Sequence, residues 1–277
     1  MSLGPIRVFL FLGQSNIAGA DAVIENGRAG FVQQEADQGS LFTYGPGPGD
    51  VTSTEYVPWE SIRGHFVPSR AHPKGYVIGP EVGFCRQLFL AGHPLAVIKC
   101  CGNIAAAEND WLWEEGRSFY ANSIRFAEER LAELGALGWD AKVAGVVWDQ
   151  GIDDGFNELR CKAHPENLRN FISSIRRHFN DSSLPFVLSR SVFSPLANPD
   201  WMRAIRKSQV EVAQTTSFVN WIDIDDLERF MPHHMTAASQ LEAGRRFAIA
   251  YQDVLQPSSL GSLIRRGKRN LWNFREK

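Results

Sequence analysis

A serine, an amide side chain, a glycine and a histidine stand just beyond the apolar runs of this sequence. After Ile6 to Leu12 comes Gly13-Gln14-Ser15-Asn16, and after Pro94 to Cys101 comes Gly102-Asn103-Ile104. After Val143 to Trp148 comes Asp149-Gln150-Gly151-Ile152-Asp153-Asp154, and Asp223 leads on to His233-His234. A hydroxyl, backbone and side-chain N–H donors and an imidazole are the parts needed for acyl transfer: nucleophile, oxyanion donors and general base. Singly, each has a plainer role. Ser15 reads as the N-cap of a first helix, Gly102 as a turn residue, Gln150 as a satisfied buried amide and His234 as a structural hydrogen bonder. Their coincidence at matching positions is what points to catalysis.

The apolar runs fix what must position them. Ile6 to Leu12, Pro94 to Cys101, Val143 to Trp148, Leu184 to Ser189 and Phe218 to Asp223 are short and bounded by turn residues, as strands buried on both faces are. Between them Ile124, Ala127, Leu131 and Leu134 keep a helical period that ends at Gly135 and Gly138. Leu168, Phe171, Ile172, Ile175 and Phe179 form a second helical face, with Pro165 expected in its first turn. A last helix is expected from Thr236 as N-cap through Leu241, Ala248 and Tyr251. Strands alternating with helices imply right-handed crossovers and a parallel sheet covered on both faces, which is the α/β class with five strands. Ligands of such sheets bind beyond the carboxyl ends of the strands, where the residues above lie.

One domain is expected over residues 1–256, followed by a tail at 257–277. That tail carries Arg265, Arg266, Lys268, Arg269, Arg275 and Lys277 against Glu276; it reads as a solvated end or as a contact for an anionic partner. Residues 20 to about 78 keep no clear period and include Tyr44-Gly45-Pro46-Gly47-Pro48-Gly49-Asp50, as a binding rim or a surface excursion would.

Composition narrows the classes. Of 277 residues 44% are hydrophobic and 22% charged, which fits a globular core and not a disordered or coiled-coil chain. A net charge of -2 argues against a nucleic-acid footprint, and Val8 to Leu12 is far short of a membrane span. That stretch, with a single Arg before it, also makes a poor signal peptide, so a cytoplasmic, non-secreted protein is expected. Four cysteines (Cys85, Cys100, Cys101, Cys161) form no CxxC pair, and Cys100 and Cys101 read as small buried hydrophobes. The G-x-S-x-G elbow, the Walker A loop, G-x-G-x-x-G and H-E-x-x-H are absent, and Gly151 and Asp154 break the EF-hand order. No metal or cofactor is expected.

Val8 to Ala20 (VFLFLGQSNIAGA) resembles the first block of the SGNH-type carbohydrate esterases, in the branch of sialate O-acetylesterases and acetylxylan esterases. Gly79-Pro80-Glu81 with Phe84 is similar to that family's GPE helix start, and Lys99 to Gly102 with Trp111 to its K…GG…W segment. Trp148 to Gly151 resembles its H-Q-G-E-S-D block, and His234 with Gln240, Gly244, Arg245 and Arg246 its final block. The resemblance runs from about residue 6 to 252 and implies a three-layer α/β/α sandwich. It implies that Ser15 is the nucleophile and His234, ten residues before Gly244, the base. It also implies that Ser15, Gly102 and Gln150 supply the oxyanion hole.

The pattern departs where the triad acid is usually found. Ile152 stands for the family's Glu, Asp149 for its His, and Met231 for the Asp three residues before the base. Candidate acids are therefore Asp149, Asp153 and Asp154, and Asp223, Asp225 and Asp226. The expectation is a Ser15–His234 dyad, held by a backbone carbonyl or by a compensating aspartate, of modest activity that rises as His234 loses its proton near about pH 6.5. Gln14, Asn16, Glu81, Asn103 and Trp111 are candidate substrate-binding residues, and Trp113, Tyr120 and Trp148 could stack on a sugar. The function expected is removal of O-acetyl groups from a carbohydrate. The alternatives are a glycan-binding homologue without turnover and an O-acyltransferase using the same serine.

Overall fold

Strand β1 (Gly4–Gly13) turns Phe9 and Phe11 to one side and Val8, Leu10 and Leu12 to the other, all buried. A strand apolar on both faces must lie inside a sheet, with helices above and below it. A computed structural model of the chain describes residues 2–25, 30–46, 57–63, 65–66, 76–101, 119–230 and 232–256. In it β1 runs between β6 (Leu95–Cys101) and β7 (Trp139–Asp149), parallel to both. Strands β8 (Phe186–Ser189) and β9 (Val219–Ile222) extend the sheet beyond β7. These are the five strands expected from sequence, in the order 2-1-3-4-5 if numbered among themselves, which is the flavodoxin-like winding.

The sheet is larger than expected. It has seven strands in the order β3-β2-β6-β1-β7-β8-β9. The added pair, β2 (Ser40–Pro46) and β3 (Val57–Ser61), comes from the stretch without clear period; β2 pairs parallel with β6, and β3 closes that edge antiparallel. Ser40 and Thr43 are fully buried within β2, so polar residues interrupt the apolar run that would have announced it. Two further strands, β4 (His65–Phe66) and β5 (Tyr76–Val77), pair with each other.

The helices α1 (Ser15–Ala18), α2 (Glu35–Gln38), α3 (Pro80–Leu88), α4 (Phe119–Ala136), α5 (Glu158–His178), α6 (Pro199–Thr215) and α7 (Ala237–Leu255) complete the layers. Phe84 of α3 and Tyr251 of α7 pack edge-on against Phe9, at 4.9 and 5.1 Å. On the other face Trp148 meets Phe171 of α5 at 4.4 Å, beside Ile124 of α4. Trp148 and Tyr120 therefore serve the core and not a sugar face. Pro165 lies inside α5, not in its first turn, because Asn157 caps the helix further upstream by accepting from the Arg160 N–H. Thr236 caps α7 as expected, accepting from the Ser239 N–H. Helices α3 and α7 cross closely enough that a Cβ on Gly244 would stand 1.9 Å from the Pro80 carbonyl oxygen, so only glycine fits there. This crossing fixes where α7 begins, and with it the loop that carries His234. Among the described residues no helix is long and apolar enough to cross a membrane.

Candidate active site

Strands β1 and β7 end level, with Gly13 opposite Asp149. The Gln14 N–H donates to the Asp149 carbonyl at 2.8 Å, and its side-chain Oε1 accepts from the N–H groups of Gly151 and Ile152 at 2.8 and 3.3 Å. Its Nε2 donates to the Asp153 carboxylate. Gln14 is thus a strut between two strand ends, with both ends of its amide engaged within the protein.

The chain then makes the single turn α1, with Gln14 at the N-cap position and Ser15 as the first helical residue. The N–H of a first-turn residue has no acceptor within its helix, so it is open to an outside oxygen. Gly19 stops α1 in the left-handed conformation at φ 80°, and a Cβ there would stand 2.2 Å from the Ile78 carbonyl oxygen. Asp21 follows, itself left-handed at φ 61°, which aspartate tolerates better than most residues.

The loop before α7 is tied to this turn. Asn16 Nδ2 donates to the His233 carbonyl at 3.1 Å, and Gln240 Nε2 donates to the Asn16 carbonyl at 2.9 Å. Arg246 of α7 holds the start of the loop through the Asp223 carbonyl at 2.7 Å and the Asp226 carboxylate at 2.6 Å. Lys99, buried in β6, donates to the Ala18 carbonyl at 3.3 Å and pairs with Glu81 at 2.9 Å. Glu81 also accepts from the Gly79 N–H and is 1% exposed, so it is a structural carboxylate and not a substrate contact. Asn16 is likewise buried and occupied with the loop, not with a ligand.

These ties bring His234 between two side chains. Its Nε2 lies 2.9 Å from Ser15 Oγ and its Nδ1 lies 2.5 Å from Asp21 Oδ2. A carboxylate at Nδ1 fixes the tautomer that leaves Nε2 able to accept the serine proton, and it stabilises the imidazolium formed next. His233 stands edge-on to His234 at 4.5 Å, and burial, with the neighbouring His234 charge, holds it below the usual histidine range.

None of the six candidate acids holds this place. Asp223 and Asp225 pair with Arg190 at 2.5 and 2.7 Å, Asp225 also with Arg206, and Asp226 with Arg246. Asp154 pairs with His164 at 2.6 Å, and Asp153 accepts from Gln14. Asp149 is buried at the end of β7, and burial pushes its carboxyl up to about 6. The aspartate at His234 is Asp21, six residues after Ser15, which the sequence reading passed over. The available signal was a helix stop at Gly19 followed two residues later by an acid suited to a left-handed turn.

Gln150 is 2% exposed. Its carbonyl is held by Ser191 Oγ at 3.0 Å and Gln209 Nε2 at 2.7 Å, while its own Nε2 has no partner among the described residues. Gly102, Asn103, Trp111, Trp113, Met231 and the basic tail lie outside the described residues. Cys100 and Cys101 are buried, and burial pushes the Cys101 thiol up to about 12, far from a thiolate nucleophile. Among the described residues no three His, Cys, Asp or Glu side chains are grouped to hold a metal.

A sequence profile described as carbohydrate esterase, sialic acid-specific acetylesterase, matches residues 5–253. No curated protein matches the chain in sequence. Among solved structures, the chain is similar to a protein from Arabidopsis thaliana at 19% identity and TM-score 0.65, covering 90% of this chain and 98% of that one. It is similar to NanS at 14% identity and TM-score 0.61, covering 91% and 98%. A carbohydrate acetylesterase from Xanthomonas citri shares 17% identity at TM-score 0.57; the match spans 89% of this chain but 56% of that one. At these identities the structures speak for a shared fold.

Proposed function

The chain belongs to the family of sialic acid-specific acetylesterases among the carbohydrate esterases, and from that premise we propose that it removes O-acetyl groups from a carbohydrate through a Ser15–His234–Asp21 triad. The observation that carries this reading is the unbroken run of hydrogen bonds from Ser15 Oγ through His234 to Asp21, at 2.9 and 2.5 Å. Ser15 Oγ attacks the ester carbonyl carbon while His234 Nε2 takes its proton. The negative charge that develops on the carbonyl oxygen is met by the Ser15 N–H, the Gln150 amide and the Gly102 N–H. His234 then passes the proton to the departing sugar oxygen, which leaves an acetyl group on Ser15. A water molecule, deprotonated by His234, attacks that acetyl carbon, and acetate departs as the proton returns to Ser15. The products are the free sugar hydroxyl and acetate.

The test is release of acetate from p-nitrophenyl acetate and from acetylated monosaccharides by the wild type and by Ser15→Ala. Turnover that vanishes in Ser15→Ala supports the triad. Sugar binding without acetate release assigns the chain to glycan recognition instead. Acetyl transfer to an added alcohol in preference to water makes it an acyltransferase.

A further inference from the structure

A second histidine–aspartate pair lies buried in the fold. His164 of α5 is 3% exposed, and its Nδ1 lies 2.6 Å from Oδ2 of Asp154, which sits in the 3₁₀ turn Asp153–Phe156. Among the described residues, three atoms around the pair have no hydrogen-bond partner, and none of the three touches solvent: His164 Nε2, Asp154 Oδ1 and Gln150 Nε2. All three residues line one cavity, together with Trp148, Asn167 and Leu168. The space open to the centre of a water molecule there is about 10 Å³, room for a single one.

The count of donors and acceptors selects the occupant. In the tautomer with Nδ1–H of His164 donating to Asp154 and no hydrogen on Nε2, Nε2 is an acceptor, as is Asp154 Oδ1, whereas Gln150 Nε2 is a donor. A cation would be opposed by the amide hydrogens of Gln150, and an anion by the Asp154 carboxylate. A water molecule donates twice and accepts once, satisfying all three atoms. Three bonds is also the usual complement of a buried water.

We propose that one buried water is bound by His164, Asp154 and Gln150, and that through it the His164–Asp154 pair sets the orientation of the Gln150 amide. The proposal rests on the reading of Gln150 as an oxyanion donor. An amide nitrogen carries two hydrogens, so one reaches the water and the other remains for the developing oxyanion. The Gln150 carbonyl is already held by Ser191 and Gln209, which leaves its side-chain torsions as the freedom to be removed. His164 and Asp154 are therefore positioning residues.

A high-resolution crystal structure tests the site directly. A water within about 3.2 Å of the three atoms is expected, and a dry cavity overturns the proposal. Kinetics test the consequence. His164→Phe should lower kcat by about 10- to 100-fold with KM unchanged, as slight misplacement of a reacting group does. His164→Gln, which keeps a hydrogen-bonding atom at similar reach, should restore most of it. In a Gln150→Ala background His164→Phe should change kcat by less than about twofold, since the pair acts only through that amide. Losses that multiply in the double variant overturn the positioning role while leaving Gln150 as a donor. A Gln150→Ala enzyme with unchanged kcat overturns the oxyanion reading itself. Asp154→Asn, which keeps size and shape, carries the same expectation should His164→Phe fail to fold.

Discussion

His234–Asp21 and His164–Asp154 are one pairing built twice, with Nδ1 facing a carboxylate at 2.5 Å in the first and 2.6 Å in the second. They differ in what the far nitrogen meets and in how far solvent reaches. His234 Nε2 meets the Ser15 hydroxyl, and its side chain is 17% exposed at the rim of the sheet. His164 Nε2 faces a water-sized space, and its side chain is 3% exposed. A carboxylate behind an imidazole therefore says little about catalysis. The nucleophile in front of it and a path for substrate make the difference.

Removing the nucleophile should separate the pairs most sharply. Ser15→Ala is expected to lower kcat by about 10⁶-fold with the thermal unfolding midpoint little changed, because one oxygen is lost from a half-buried position in a turn that keeps its other bonds. Residual activity near wild type would remove His234 from the chemistry. Next comes Asp21→Asn, expected to cost about 10⁴-fold in kcat by releasing His234 from its productive tautomer. If Asp154→Asn cost as much, the contrast between the pairs would collapse. Gln150→Ala should lower kcat by about 10²–10³-fold. A change confined to KM would place its amide on the bound ester and not on the oxyanion.

The smallest expected effect concerns Asp149, whose burial raises its carboxyl from an ordinary 3.8 to about 6. The folded protein holds this proton more tightly than the unfolded chain does. Stability from that source is full below about pH 3.8 and is lost as the pH rises through about 6. Asp149→Asn should therefore gain about 3 kcal/mol at pH 8 and little at pH 4, read from denaturant midpoints at the two pH values. An equal gain at both would show that Asp149 is charged in the folded state.

The five expected strands were legible because each carries apolar residues toward both faces of the sheet, although Lys99 interrupts β6 and Asn220 and Trp221 of the edge strand β9 are half-buried. Strand β2 was not, since Ser40 and Thr43 are buried within it, and Pro46 and Gly45 end it as a turn would. Ser15 and His234 were legible from their places beyond the strands and from the family motifs. Asp21 was missed because acids were sought at strand ends and beside the histidine, whereas this one reaches His234 from the nucleophile's own turn. Gln14, Asn16 and Glu81 were read as facing a ligand. Their partners Gly151 and His233 lie more than a hundred residues away in the chain, and Lys99 lies on another strand, so no local pattern announces that they are occupied.

Ser15 and Asp21 ride on one short segment, buttressed from below by Lys99 and from the side by Ile78. Two of the three residues of the proposed triad thus travel as a unit, and the third belongs to a separate piece of chain. The triad has one seam, crossed by the bonds from Asn16 to His233 and from Gln240 to Asn16. Catalytic rate then works as a gauge of that seam alone. In rising urea, turnover that fades before the far-ultraviolet dichroism of the sheet would record the two halves parting while each remains folded.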